Sequence, residues 1–292
     1  MNKVRGAYLQ LHLAVVLFGF TAILGDLITL SALVLVWWRV LITCISLLFF
    51  IQFGKALLQI PRKLILKFMG IGVLVAVHWI TFFGGVKYSN ASICLVAMAT
   101  TSFFTSIMEP LILKKPFKSY EMILGLLIIP GMILVVNNIE VSMLKGIWVG
   151  LISAFLASLF AIFNKALIDE ADPYSITFIE LGSAFLFIGL LLPFYFRYEV
   201  TAAFLPVAND FIYLLVLALL CTTLAYVLSL RALKYISAFA ANLTVNLEPV
   251  YGIVLAWFIL NEHEQLNAGF YLGSALIILA VLCYPMLKKR LG

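Results

Sequence analysis

Apolar residues run through this chain in long blocks separated by short polar caps. A helix needs roughly 20 predominantly apolar residues to cross a bilayer. Blocks of that order lie near 8–25, 32–53, 67–86, 91–113, 120–136, 146–167, 173–196, 211–233, 238–260 and 266–287. Each reads as a transmembrane helix, and the short caps make successive helices antiparallel neighbours. The fifth block is the shortest and carries Pro130-Gly131, which predicts a kink or tilt. The longest segments suited to water, 54–67 and 197–210, are too short to hold cores of their own. The pattern predicts an all-α polytopic membrane protein with ten transmembrane helices.

Composition agrees with lipid as the solvent: 65% of residues are hydrophobic and 11% charged, against about 25% charged in a soluble domain. The net charge of +6 does not point to nucleic acid, because the basic residues sit in the caps, where they act as topology signals beside acidic lipid headgroups. With the amino terminus inside, Lys87, Lys145 and Arg197 cap the outer face and Arg39 lies within the second block. The other fifteen of the 19 Lys and Arg residues cap the inner face. That bias predicts both termini in the cytoplasm and a place in the cytoplasmic (inner) membrane. Lys3 and Arg5 before an apolar run imitate a signal peptide, but no small-x-small cleavage site follows, so the run reads as the first helix. Cys44, Cys94, Cys221 and Cys283 lie within apolar blocks without C-x-x-C spacing and read as small buried hydrophobes, neither a disulfide set nor a metal site.

The chain also repeats itself. Val86-Lys87-Tyr88-Ser89-Asn90-Ala91 closes the third block and opens the fourth, and Leu233-Lys234-Tyr235-Ile236-Ser237-Ala238 does the same for the eighth and ninth. Leu124-Gly125 in the fifth block corresponds to Leu272-Gly273 in the tenth. Five helices per copy is an odd number, so the second copy must enter the membrane from the opposite face. Inverted repeats of this kind recur in secondary transporters, whose substrate sits near the midplane between the halves.

The residues Leu233-Lys234-Tyr235-Ile236-Ser237-Ala238, Asn246-Leu247-Glu248-Pro249-Val250, Leu255-Ala256-Trp257, Asn261-Glu262 and the run from Leu272 to Ile278 carry a resemblance to a known family. Met108-Glu109-Pro110-Leu111 and Trp38-Arg39 add weaker matches. On these the chain resembles the drug/metabolite transporter superfamily, in its EamA-type branch. The resemblance implies two five-helix units, 1–140 and 141–292, forming one membrane domain. It implies a cavity lined mainly by helices 3, 4, 8 and 9, with 1 and 6 contributing. The first copy departs from the pattern where Lys114-Lys115-Pro116 follows helix 4 in place of an acidic residue, so no role passes from Glu248 to Glu109.

Ionisable groups inside a membrane are costly, and each is a functional candidate. At about 1.5 Å per residue, Glu248 lies roughly 15 Å into helix 9 and His78 is similarly placed in helix 3. Arg39 and Glu180 each lie about 10 Å from opposite faces by the same measure, so no ion pair between them is expected. On a continuous helix 9, Asn242, Asn246 and Pro249 share one face, and Ala241, Thr244, Glu248 and Tyr251 another. Pro249 removes the donor that would reach the carbonyl of Val245. The candidate solute site is His78, Trp79, Thr101, Asn242, Asn246, Glu248 and Tyr251, with His78 and Glu248 also candidate proton carriers. The same polar groups also suit bonds between helices, and the hydroxyls of Thr100-Thr101-Ser102 suit bonds to the carbonyl one turn back. Glu109, Lys165 and Arg231 lie at one cytoplasmic level and form a candidate gate. Gly269-Phe270-Tyr271-Leu272-Gly273 permits close helix contact, within the monomer or in a homodimer through helix 10. Glu262-His263-Glu264 has poor spacing for a metal, and no cofactor is expected. No G-x-x-x-x-G-K-[ST], H-E-x-x-H or G-x-S-x-G motif is present.

These observations point to a secondary carrier working by alternating access. A membrane-embedded enzyme or sensor is the main competing reading and a channel the third. The scarcity of deep basic residues argues against highly phosphorylated cargo. Amino acids or similar small metabolites, including drug-like compounds, are the expected solutes.

Overall fold

A computed structural model describes residues 3–51, 59–261 and 266–291. These residues form ten helical rods and no strand: α1 (Lys3–Leu27), α2 (Ala32–Leu47), α3 (Arg62–Tyr88), α4 (Ala91–Leu113), α5 (Ser119–Val136), α6 (Val141–Leu167), α7 (Pro173–Tyr198), α8 (Ala208–Leu233), α9 (Ala238–Ile259) and α10 (Ala268–Leu291). Eight are long and apolar enough to cross a membrane; α2 and the Ala268–Leu279 stretch of α10 are shorter apolar helices. Every rod falls on one of the apolar blocks. Four boundaries move by five residues or more, among them the starts of α1, at Lys3 where the block begins near 8, and of α6, at Val141 where the block begins near 146. The second block continues to 53, whereas α2 stops at Leu47, and Phe50 beyond it stacks on Tyr174 at 5.8 Å. The third rod begins at Arg62, directly after Pro61, whose fixed φ suits a helix entrance. Glu262-His263-Glu264 and Lys55 lie outside the described residues.

The helix starts follow local chemistry. The Asn90 side chain accepts from the amide of Ile93, and the Ser237 side chain from that of Ala240. Both caps offer an oxygen to a backbone amide left orphaned in the first turn, and they hold matching places in the two repeats. Asp172 caps α7 in the same way, ahead of Pro173.

Packing exchanges roles between the halves. α3 lies on α6 and α8 on α1; α4 lies on α6 and α9 on α1; α3 touches α7 and α8 touches α2; α4 meets α9, and α5 meets α10. Adding five to each helix number, counting on from ten to one, exchanges the members of the first three couples and maps α4–α9 and α5–α10 onto themselves, the arrangement that a two-fold relation between the halves gives. Close approach depends on small residues. A Cβ on Gly72 of α3 would overlap the backbone of Glu180 on α7. Gly273 of α10 sits against the Gly131 carbonyl and Val135 of α5, so the G-x-x-x-G face is occupied within the chain. The outward sides, such as Leu186, Leu190 and Phe194 on α7, are exposed and apolar, as a lipid-facing surface must be.

Two rods and part of a third are not regular. α4 is interrupted after Met98 and resumes at Thr101; α9 is interrupted after Val245 and resumes at Glu248. In α8, Leu219–Leu224 winds as a π-helix, a form that often marks functional sites.

Candidate functional site

The two interruptions hold corresponding places in the repeat and touch. Asn246 in the α9 break donates through Nδ2 to the carbonyl of Ala99 in the α4 break, 147 positions earlier, at 2.8 Å. The same nitrogen lies 2.7 Å from the Ser102 hydroxyl. One turn away, Asn242 Nδ2 donates to Thr105 Oγ1 at 2.8 Å, and Leu95 packs on Gly252. Residues 95 and 105 correspond to 242 and 252, so these two contacts are also counterparts.

The breaks have different causes. In α9, Pro249 has no amide to give to Val245, so the ladder cannot continue. In α4 no proline stands at the break, and Pro110 lies more than two turns beyond it. Instead Thr100, Thr101 and Ser102 turn their hydroxyls back onto the carbonyls of Ala97, Met98 and Ala99, at 2.7, 2.6 and 3.5 Å. Back-bonding of this kind competes with the helical ladder, and Asn246 takes the Ala99 carbonyl from outside.

Beside these breaks lies a cavity of about 100 Å³. His78, Trp79, Thr101, Asn242 and Glu248, all expected from the sequence, reach its wall, with apolar cover from Phe18, Phe82 and Phe160 among others. Helices α3, α6, α8 and α9 supply most of the lining; α4, expected among the main walls, adds only Met98 and Thr101, α1 adds Phe18 and Thr21, and α2 adds Arg39. Asn246 and Tyr251 do not line it. Asn246 is buried between the breaks, and Tyr251 lies against Gly19 of α1, partly exposed. The stripe assignment assumed one unbroken helix; the interruption at Asn246-Leu247 changes the helical phase between Asn242 and Tyr251, so each stripe divides.

His78 is anchored from α6. The Ser153 hydroxyl donates to the His78 carbonyl at 2.9 Å and lies 2.8 Å from Nδ1, while Nδ1 is 3.0 Å from the Ser153 carbonyl. With the hydroxyl proton given to one carbonyl, Nδ1–H is the group able to satisfy the other, and Nε2 is left as the acceptor of the neutral ring. Ser153→Ala removes the bridge between α3 and α6, and we expect it to lower stability by about 1 kcal/mol. Unfolding midpoints would show the loss, and the His78 ring signal in a nitrogen-labelled sample should shift. An unmoved signal would contradict the anchoring.

Arg39, absent from the candidate solute site read from the sequence, is 2% exposed and lines the cavity. Its Nε donates to Thr222 Oγ1 at 2.6 Å and its Nη2 reaches the Cys221 carbonyl at 3.4 Å, both within the π-helical turn of α8. The Trp79 ring lies 3.9 Å from the guanidinium carbon, a cation–π contact. A second cluster was also missed. Glu180 of α7, fully buried, accepts from Tyr226 Oη at 2.6 Å and from Asn164 Nδ2 at 3.3 Å, and Tyr226 and Asn164 both line the cavity. No ion pair joins Arg39 to Glu180 among the described residues.

The three candidate gate residues have separate partners. Glu109 accepts from the amide of Phe239 at 2.6 Å and lies 3.9 Å from Lys115. Lys165 donates to the carbonyl of Leu233 at 2.6 Å. Arg231 lies 5.0 Å over the Tyr174 ring. Each ties a helix end to its neighbour, and no ion pair links the three among the described residues. Nor do the described residues contain a cluster of three metal-ligating side chains.

Comparison with known proteins bears on the whole chain. The model of the EamA-like transporter family matches residues 5–137 and again 144–284. An "Uncharacterized transporter" of Clostridium kluyveri is 26% identical over 212 residues, covering 70% of this chain and 67% of that protein. A solved structure described as "Crystal structure of protein" superposes with a TM-score of 0.72 at 13% identity, covering 98% of each chain. That likeness shows the fold.

Proposed function

Because the chain belongs to the EamA-like transporter family, we propose that it is a secondary carrier moving a small organic solute across the cytoplasmic membrane by alternating access. The observation that carries the reading is the meeting of two interrupted helices, one from each half, beside a cavity with polar groups on its wall. Broken helices free backbone groups at depth, which is tolerated only where protein or a cavity receives them. The exchanged packing of the halves supports an inverted pair of five-helix units, 1–140 and 141–292, and the bias of Lys and Arg toward one set of caps supports both termini in the cytoplasm. Rocking one unit on the other would open the cavity to each face in turn. Amino acids and similar small metabolites are the solute class best suited to a cavity with few basic groups. A homodimer through α10 would use its outward Leu272, Leu276 and Leu279, since the glycine face is taken by α5.

A thermal-shift screen of the purified protein against a metabolite library, followed by flux of the hits in reconstituted vesicles, tests this reading. Solute-specific flux supports it, and chemical turnover without flux contradicts it. His78, held by Ser153 at the cavity wall, is the proposed coupling group. His78→Ala should abolish uptake driven by a pH gradient while leaving solute exchange measurable. An unchanged pH dependence would remove proton coupling through this ring.

A further inference from the structure

The loop 28–31, between α1 and α2 at the outer face, is grasped from two sides. Asp210, in the first turn of α8 and 1% exposed, accepts from the Thr29 amide at 2.9 Å and from the Thr29 hydroxyl at 2.7 Å. Lys87, at the outer end of α3, donates to the carbonyls of Asp26 and Ile28. Ile28 and Leu30 of the same loop are buried in the main apolar core. Thr29 belongs to the first half of the chain and Asp210 to the second, so their bonds close the outer face across the halves. The cavity stops short of this closure. Its outermost lining residues on α1 and α3, Thr21 and Phe82, each lie six residues before the helix end, about 9 Å. In the other direction the lining runs to Leu233, the last residue of α8. Glu109 and Phe239 also join the halves near the inner face, but neither lines the cavity.

The repeat supplies a counterpart to this closure. α8 exchanges with α3, and the α1–α2 loop exchanges with the loop 168–172 between α6 and α7. At the offset of 147 positions Asp210 corresponds to Lys63, in the first turn of α3 beside Arg62. Thr29, second in its loop, corresponds to Asp169, which Glu170 follows. These two bases and two acids are exposed, and no ion pair joins them among the described residues. One face therefore carries a made contact, and the matching place on the other carries opposite charges that do not meet. We infer that Thr29–Asp210 is an outer latch and that Arg62 and Lys63 with Asp169 and Glu170 form an inner latch, each closed while the other is open. The inference rests on the carrier reading for what the movement accomplishes. Exchanging the conformations of two inverted halves carries the closed contact from one face to the other. In this structure the outer latch holds and the cavity extends toward the cytoplasmic face. Two bonds to a buried carboxylate outweigh an exposed ion pair, so the resting balance favours this state.

Distances between spin labels in the full-length protein in vesicles test the inference. Labels on a ketone-bearing amino acid, placed at 88 and 209 for the outer face and at 66 and 166 for the inner, occupy exposed positions and leave the native cysteines in place. Asp210→Ala should add a population with a longer outer and a shorter inner separation. Thr29→Val, an exposed loop change that removes the hydroxyl donor alone, should shift both distances the same way in a smaller fraction of molecules. It carries the test should Asp210→Ala fail to fold. Adding Asp169→Asn and Glu170→Gln to either variant should abolish the inner shortening, and so should salt of about 1 M, which screens exposed charges. Distances equal to the parent's in every outer-latch variant that folds overturn the inference, and so does inner shortening that survives loss of both acids. Counterflow of a solute from the thermal-shift screen separates the two claims. Counterflow with unmoved distances overturns the latches and leaves the carrier standing; distances that shift as stated without counterflow do the opposite.

Discussion

Replacing Gly72 with leucine is expected to destabilise the membrane fold by about 3 kcal/mol, the upper range for overpacking a filled interior. Even a Cβ there would overlap the Glu180 backbone and the Ser183 hydroxyl, so a leucine must drive α3 away from α7. The backbone cannot yield as a flexible side chain can. The same movement would disturb Glu180 and its bond to Tyr226 at the cavity edge. Gly70 and Gly182 provide the contrast, because nothing lies within 4 Å of a Cβ at either position. Gly70→Leu and Gly182→Leu should stay within about 0.5 kcal/mol of the parent. Denaturant unfolding of the three variants in one detergent decides the point; a Gly72→Leu protein as stable as the Gly182→Leu one would contradict the contact between α3 and α7.

Asn246→Leu is the second large effect. Leucine matches the volume but gives up both bonds across the helix breaks, leaving the Ala99 carbonyl and the Ser102 hydroxyl without their shared donor. Only the long Ser102–Ala99 contact of 3.5 Å then remains to either group, so the loss is about 1 kcal/mol. Transport should suffer more than stability, since the two half-helix pairs would lose the link at their meeting point. We expect solute exchange to fall to background while a measurable folded fraction persists. Full exchange activity in Asn246→Leu would show that the Asn246 bridge is not needed for the movement. Asn242→Leu, which loses only the bond to Thr105, should have the smaller stability effect and still impair solute uptake, because Asn242 also lines the cavity.

Much of this architecture is legible from apolar blocks alone, because lipid requires each backbone to satisfy itself and leaves the helix as the available form. The repeat was legible where it carries caps: Asn90 and Ser237 are the same device in two copies. The α9 break could be anticipated because proline has a local, unconditional effect on the ladder. The α4 break could not, because it arises from three hydroxyls acting together with an asparagine distant in sequence, and each hydroxyl alone is compatible with an ordinary helix. Arg39 shows a different limit. Depth along a helix can be counted, but the partner it reaches depends on the π-helical turn in α8, which no single residue announces. Gly269-x-x-x-Gly273 declared a close contact without naming α5 as the neighbour. Asn164 and Tyr226 were indistinguishable in sequence from the polar residues and belt tyrosines that any membrane chain contains. Their role emerged only when packing brought Glu180 behind them.

If a solute enters one cavity from either side of the membrane, counterflow in reconstituted vesicles reveals it. Vesicles loaded with a high concentration of unlabelled solute, chosen from the binding hits, receive a trace of labelled solute outside. A carrier gives saturable uptake with a transient overshoot, abolished when the internal solute is omitted. Uptake that rises linearly with concentration and ignores the internal solute would contradict a carrier.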